Sequence, residues 1–209
     1  MSAPKRPTRA DLEAARGRSI PDVVAPGLNV LFVGINPSLW SGAVGLHFAR
    51  PGNRFWRVLH EAGFTERMLA PHEGRALLAG GIGITNLVNK ATASADELST
   101  DDFRAGARLV ETKIRRYRPR VVAFVGMGAY RTAFARPRAP RGRQDMELAG
   151  ATVWVLPNPS GRTAGYQLPE LTRAFAELRR ALAARRAPVS ARRAAPGSRR
   201  RTGRTTASR

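Results

Sequence analysis

The chain contains no cysteine, which excludes disulfides, thiolate nucleophiles, iron–sulfur clusters and Cys-ligated zinc. A zinc-dependent nucleobase deaminase, which draws ligands from Cys, is excluded with them. Histidine is scarce. His47, His60 and His72 are the whole set, and they show neither metal-ligand spacing nor an HExxH helix. No apolar run is long enough to span a bilayer. The N-terminus, Met1 to Arg18, is polar and basic with no apolar signal core. The expected compartment is therefore cytoplasmic, of a bacterial, nucleoid-associated kind. Acid is also in short supply: 15 Asp and Glu face 36 Lys and Arg, for a formal net charge of +21 in 209 residues. Such an excess attracts a polyanion regardless of sequence, nucleic acid first and an anionic membrane surface second. A charged tail on an otherwise ordinary enzyme gives the same total.

What is present suits one α/β domain between two arms. Residues 1–25 are rich in Pro, Arg and Ala and read as a basic, flexible N-terminal arm, with a short helical turn over Asp11–Ala15. Residues 187–209 carry Arg192, Arg193, Arg199, Arg200, Arg201, Arg204 and Arg209, no acid and almost no large apolar residue. Burial there cannot offset the entropy of ordering, so this tail is expected to be disordered. A solvated tail and a non-specific DNA tether fit it equally. Residues 26–186 alternate apolar runs with helical patterns. Strands are expected at Leu28–Gly34, Gly83–Val88, Val121–Val125 and Val153–Leu156. Helices are expected at Asn53–Ala62, Glu73–Ala79, Thr100–Tyr117 (capped by Ser99 or Thr100), Ala129–Ala135 and Pro169–Ala184. This alternation predicts a three-layer α/β/α sandwich around a central, mainly parallel sheet of four to five strands. Ligands of such sheets bind beyond the carboxyl ends of the strands, so the residues after each strand carry the chemistry.

Strand one runs into Gly34-Ile35-Asn36-Pro37-Ser38. Pro37 biases Asn36 to an extended conformation and so holds one neutral amide at the crevice. Its carbonyl oxygen can accept a hydrogen bond from water. That suits a reaction whose nucleophile needs positioning more than deprotonation, such as glycosidic hydrolysis through an oxocarbenium-like transition state. An Asx turn is the plainer explanation of Asn-Pro alone. The next residues, Leu39-Trp40-Ser41-Gly42-Ala43-Val44-Gly45-Leu46-His47-Phe48-Ala49-Arg50-Pro51-Gly52-Asn53-Arg54-Phe55-Trp56, change the balance. Together with the preceding motif they resemble the mismatch-specific uracil-DNA glycosylase and thymine-DNA glycosylase family, whose pattern is Gly-Ile-Asn-Pro, a Gly-x-x-aromatic step, then Pro-x-Asn-x-Phe-Trp. Leu156-Pro157-Asn158-Pro159-Ser160-Gly161-Arg162-Thr163 resembles the second family signature, Asn-Pro-Ser-Gly. The likeness runs from Leu28 to Ala183, leaving both arms outside.

The resemblance implies roles. Asn36 matches the water-positioning Asn, and Asn158 is expected to face the same pocket. Phe48 matches the aromatic residue that stacks on a base flipped out of the duplex. Ile35, Ser41, His47 and Asn86 fall where the family lines or tunes the base pocket, although a surface-loop histidine explains His47 equally well. Ser160, Gly161, Arg162 and Thr163 fall on the loop that enters the DNA, with Arg162 as wedge where the best-known bacterial pattern has Leu. Phe55 and Trp56 read as core, Asn53 as a helix cap, and Asp96 and Glu97 as charges opening a helix. Gly126-Met127-Gly128 lacks the third glycine of a dinucleotide fingerprint and reads as a turn.

The implied activity is monofunctional hydrolysis of uracil and related damaged pyrimidines from mismatched duplex DNA, leaving an abasic site. The implied partner is duplex DNA with G·U-type mispairs, met by a monomer, with no membrane, metal or organic cofactor involved. No Lys stands in the strand-one motif to act as a Schiff-base nucleophile, and no Asp beside Asn36 supplies the carboxylate base of faster uracil-DNA glycosylases. A non-catalytic module for damaged DNA needs no water-positioning amide. A nucleoside hydrolase needs neither a basic tail nor a wedge loop.

Overall fold

The computed structural model describes residues 5–161 and 165–184. Arg162 and Thr163, and the whole tail from 187, lie outside the described residues.

Val-rich runs form the centre because β-branched side chains pack well on a pleated surface. The strands are β1 (Val30–Gly34), β2 (Ile82–Asn86), β3 (Val121–Val125), β4 (Gly142–Leu148) and β5 (Ala151–Leu156), in the spatial order β2-β1-β3-β5-β4. All neighbours are parallel except β4, which runs antiparallel to β5. Every residue of β1, β2, β3 and β5 is buried, as a parallel sheet covered on both faces requires. The alternation of side chains splits the core in two. Val30, Phe32, Val121, Ala123, Val125, Trp154 and Leu156 face one layer, and Leu31, Val33, Val122, Phe124, Val153 and Val155 face the other.

The first layer is built from α3 (Phe55–Glu61), a 3₁₀ segment (Pro71–Gly80) and α6 (Leu168–Ala184). Phe32 sits at its centre, edge-on to Phe55 and stacked on Phe175. Truncating Phe175, which is fully buried, is expected to cost about 3–5 kcal/mol. The second layer holds α4 (Thr100–Tyr117) and α5 (Met127–Ala133). Ser99 and Asp102 form the capping box that starts α4, and Gly106, Ala107, Val110 and Ile114 make its buried stripe. Two short helices, α1 (Arg9–Ala14) and α2 (Leu39–Val44), pack against each other.

Several elements differ from the sequence reading. The helix expected at Glu73–Ala79 is present as a 3₁₀ helix, running from Pro71 to Gly80. α5 begins at Met127, two residues earlier than expected. β4 was not anticipated because its inward positions include the polar Gln144 between exposed Arg143 and Asp145. Those outward charges protect an edge strand from further pairing. Within the stretch read as an arm, Thr8 and Asp11 form the capping box of α1, and Ala15 and Ile20 are buried. Val23 exchanges two backbone hydrogen bonds with Ile84 along the outer edge of β2, at 2.9 and 2.8 Å. Asp22 is anchored by Lys113 at 2.6 Å and by the Thr85 hydroxyl at 2.6 Å.

Candidate active site

The carboxyl ends of β1, β2, β3 and β5 converge on a cavity of about 330 Å³. Ile35 and Asn36 follow β1, Asn86 ends β2, Val125 ends β3, and Asn158 and Ser160 follow β5; all line the cavity, with Ser41 and Phe48. Crossing this sheet edge therefore gathers residues more than a hundred positions apart in sequence.

Asn36 is fixed by the loop after β2. Thr92 pairs with Ser38 in an isolated parallel bridge, Leu39 N donates to Thr92 O at 3.1 Å, and Thr92 N donates to Pro37 O at 3.2 Å. This zips the loop after β2 to the loop after β1. Asn36 Nδ2 then donates to Thr92 Oγ1 at 2.7 Å, Lys90 O at 2.9 Å and Pro37 O at 3.2 Å. Two of these acceptors are carbonyls, which cannot donate, and Thr92 Oγ1 spends its own proton on Ser94 O at 2.7 Å. The amide orientation is thus determined: nitrogen toward the loop, Oδ1 left as an acceptor with no partner among the described residues. Thr92 was missed in the sequence. The rule that residues beyond each strand deserve scrutiny covers it, but a single Thr in a polar loop carries no other signal.

Phe48 is held in a left-handed backbone conformation with φ of 52°. For a bulky residue this costs about 1–3 kcal/mol and needs support from its surroundings. Trp56 Nε1 donates to His47 O at 3.2 Å, pinning the preceding peptide, and the Phe48 ring stacks on Phe55 with centroids 3.9 Å apart and planes 13° from parallel. Phe55 is the rigid floor under a half-buried ring that lines the cavity. Gly34 makes the approach possible, since a Cβ there would lie 2.8 Å from Asn86 Oδ1 and 3.1 Å from Phe48 Cζ.

His47 is 4% exposed, which rules out the surface-loop alternative. Its Nε2 meets Pro21 O at 3.0 Å, and a carbonyl only accepts, so Nε2 carries the proton. Burial pushes the His47 pKa down, and the hydrogen bond to Pro21 opposes this only in part. The neutral ring leaves Nδ1 as an acceptor facing Asn86 Nδ2 across a long contact of 3.5 Å. Ser41 is also buried; its hydroxyl accepts from Ala49 N at 3.3 Å and meets the helix-capping Ser38 hydroxyl at 3.2 Å.

Asn158 Oδ1 accepts from Ser160 N at 3.0 Å, turning the chain sharply after β5. Gly161 is exposed on the same loop. Asn53 does act at the start of α3, accepting from Phe55 N at 2.9 Å. Asp96 belongs to a 3₁₀ turn (Ala95–Glu97) capped by Ser94 and lies on the cavity wall, while Glu97 pairs with Arg16. Gly126 packs against Ile35 in a turn that starts α5. Among the described residues no group of three or more His, Asp or Glu could hold a metal ion, and no helix is long and apolar enough to cross a membrane.

Fold and site together describe an α/β/α domain with a polar cavity at the carboxyl edge of its sheet, lined by the amides Asn36, Asn86 and Asn158, the aromatic face of Phe48, and the charged Arg50 and Asp96. The chain belongs to the uracil DNA glycosylase superfamily, whose profile matches residues 21–183. It is accordingly a DNA-repair glycosylase, a DNA-binding hydrolase for damaged or mispaired pyrimidines. Among solved structures it is similar to the solution NMR structure of a candidate uracil DNA glycosylase from Methanosarcina acetivorans, at 22% identity over 78% of this chain and 98% of that one, with a TM-score of 0.48.

Proposed function

We propose that the protein hydrolyses the N-glycosidic bond of uracil in mismatched duplex DNA, by the route of the mismatch-specific and thymine-DNA glycosylases. The single observation that carries this reading is the fixed amide of Asn36, whose nitrogen is fully engaged and whose Oδ1 remains to accept from water. The target uracil leaves the base stack and lies on Phe48, where an aromatic face replaces part of the lost stacking. Asn36 aims a water at C1′, and the sugar develops oxocarbenium character as the bond to the base breaks. The electron pair of that bond leaves with uracil as an anion, which hydrogen-bond donors of the pocket stabilise. Water supplies the hydroxyl at C1′ and its remaining proton is released. The products are the free base and an abasic site. Asn158 shares the wall, Ile35, Ser41 and Asn86 shape the base pocket with His47 behind Asn86, and the Ser160–Thr163 loop enters the duplex with Arg162 filling the gap.

The test is a labelled duplex with one uracil opposite guanine, treated with hot alkali after incubation. Cleavage at the uracil, absent with uracil opposite adenine, is expected. Equal cleavage of both removes the mismatch requirement, and an Asn36→Ala protein that excises at the wild-type rate refutes the mechanism.

A further inference from the structure

Arg54 occupies an unassigned position in the Pro-x-Asn-x-Phe-Trp stretch, immediately before α3. An arginine there would ordinarily extend into solvent. Instead it turns toward the loop after β5. Its Nε donates to Pro159 O at 3.2 Å, Nη2 to Ser160 O at 2.9 Å and Nη1 to Tyr166 O at 2.9 Å. Its backbone N–H adds a bond to Pro159 O at 3.1 Å. One guanidinium therefore holds carbonyls on both sides of the loop, each through a different nitrogen. The neighbouring backbone is close as well, since a Cβ on Gly161 would lie 2.8 Å from Gly52 O.

We propose that Arg54 is a positioning residue for base excision, holding the Asn158–Ser160 wall of the cavity in register with Phe48. The proposal rests on the excision reading above. The coupling is direct. Arg54 grips Ser160 O, Ser160 N fixes Asn158 Oδ1 at 3.0 Å, and the adjacent Phe55 carries the ring stacked under Phe48. One short stretch, Arg54-Phe55, thus sets the spacing between the aromatic floor and the amide wall. Lysine is a poor substitute, because its three donors share one nitrogen, whereas these carbonyls are met by three separate nitrogens of a planar fork.

Two measurements on the full chain test this. The first is amide hydrogen exchange of wild type, Arg54→Lys and the control Arg57→Lys, whose guanidinium pairs only with Glu61 among the described residues. Exchange at the Arg54-position and Ser160 amides is expected to rise about tenfold or more in Arg54→Lys, corresponding to the loss of one local bond, and to stay unchanged in the control. The second is single-turnover excision from a G·U duplex at saturating enzyme. Arg54→Lys and Arg54→Gly are expected to fall about 10²-fold, with affinity for undamaged duplex unchanged, and millimolar guanidinium, but not urea, is expected to restore Arg54→Gly. Unchanged Ser160 exchange in Arg54→Lys overturns the proposal, as does excision at the wild-type rate. A loss of excision accompanied by equal loss of DNA affinity and no response to guanidinium overturns it too. If the wild type excises no uracil, the excision reading fails, and the exchange result alone decides whether Arg54 holds the loop.

Discussion

Replacing Thr92 by Val keeps the shape of the side chain and removes only its hydroxyl. That hydroxyl is the shortest acceptor for Asn36 Nδ2, at 2.7 Å, and it donates to Ser94 O at 2.7 Å. In Thr92→Val the amide keeps Lys90 O at 2.9 Å and Pro37 O at 3.2 Å. The second belongs to the adjacent residue and is a weak restraint on rotation. A neutral hydrogen bond contributes about 0.5–1.5 kcal/mol net, and each 1.4 kcal/mol of transition-state stabilisation is about tenfold in rate. If the lost bond acts only through the aim of Asn36, excision slows by about two- to tenfold. Asn36→Ala, which removes the acceptor itself, is expected to cost on the order of 10²-fold or more. Single-turnover excision of uracil opposite guanine separates the cases, with Thr92→Ser as the variant that retains the hydroxyl and restores the rate. Binding of undamaged duplex should not change. A Thr92→Val protein at the wild-type rate, or one as slow as Asn36→Ala, would refute the reasoning: the first because the bond then does not aim the amide, the second because Thr92 would then act on the reaction itself.

Gly34→Ala should lower excision more than it lowers thermal stability, because the added methyl meets Asn86 Oδ1 at 2.8 Å and Phe48 Cζ at 3.1 Å and pushes both into the cavity; an unaltered rate with an altered melting temperature would contradict this. His47 has a lowered pKa in the fold, so the unfolded chain binds its proton first as the pH falls below the ordinary value of 6.5. The stability that His47 contributes as a neutral group is therefore complete above pH 6.5 and is lost as the pH falls toward the lowered folded value. Melting temperature should drop across that window in wild type and drop less in His47→Asn; identical profiles would count against it. Phe48→Ala should weaken binding of a duplex carrying a flipped base by about 1–3 kcal/mol, the worth of one stacked base, measured by equilibrium titration against undamaged duplex as reference.

The sequence by itself determined the fold class and the order of the four parallel strands and the longer helices. Buried parallel strands must be apolar almost throughout, so Val30–Val33, Val121–Val125 and Ala151–Leu156 stand out from their surroundings. The helix stripes and the Ser99 cap are equally local signals. The stretch from Gly34 to Trp56 and the Asn158–Gly161 turn were also legible, because each is a short continuous run. β4 was not, since an edge strand has one solvated face and an inward Gln144, and its pattern resembles a loop. The burial of Ile20 and His47 and the engagement of Arg54 were not legible either, because the groups that meet the Ile20 backbone and the His47 and Arg54 side chains by hydrogen bonds lie at least 26 residues away in sequence. Tertiary structure alone decided which way the Asn36 amide points. That depends on Lys90 O and Thr92 Oγ1, 54 and 56 residues away. The chain specifies each wall of the cavity locally, but hydrogen bonds between loops of different strands orient them, and those bonds exist only once the sheet has brought its carboxyl ends together.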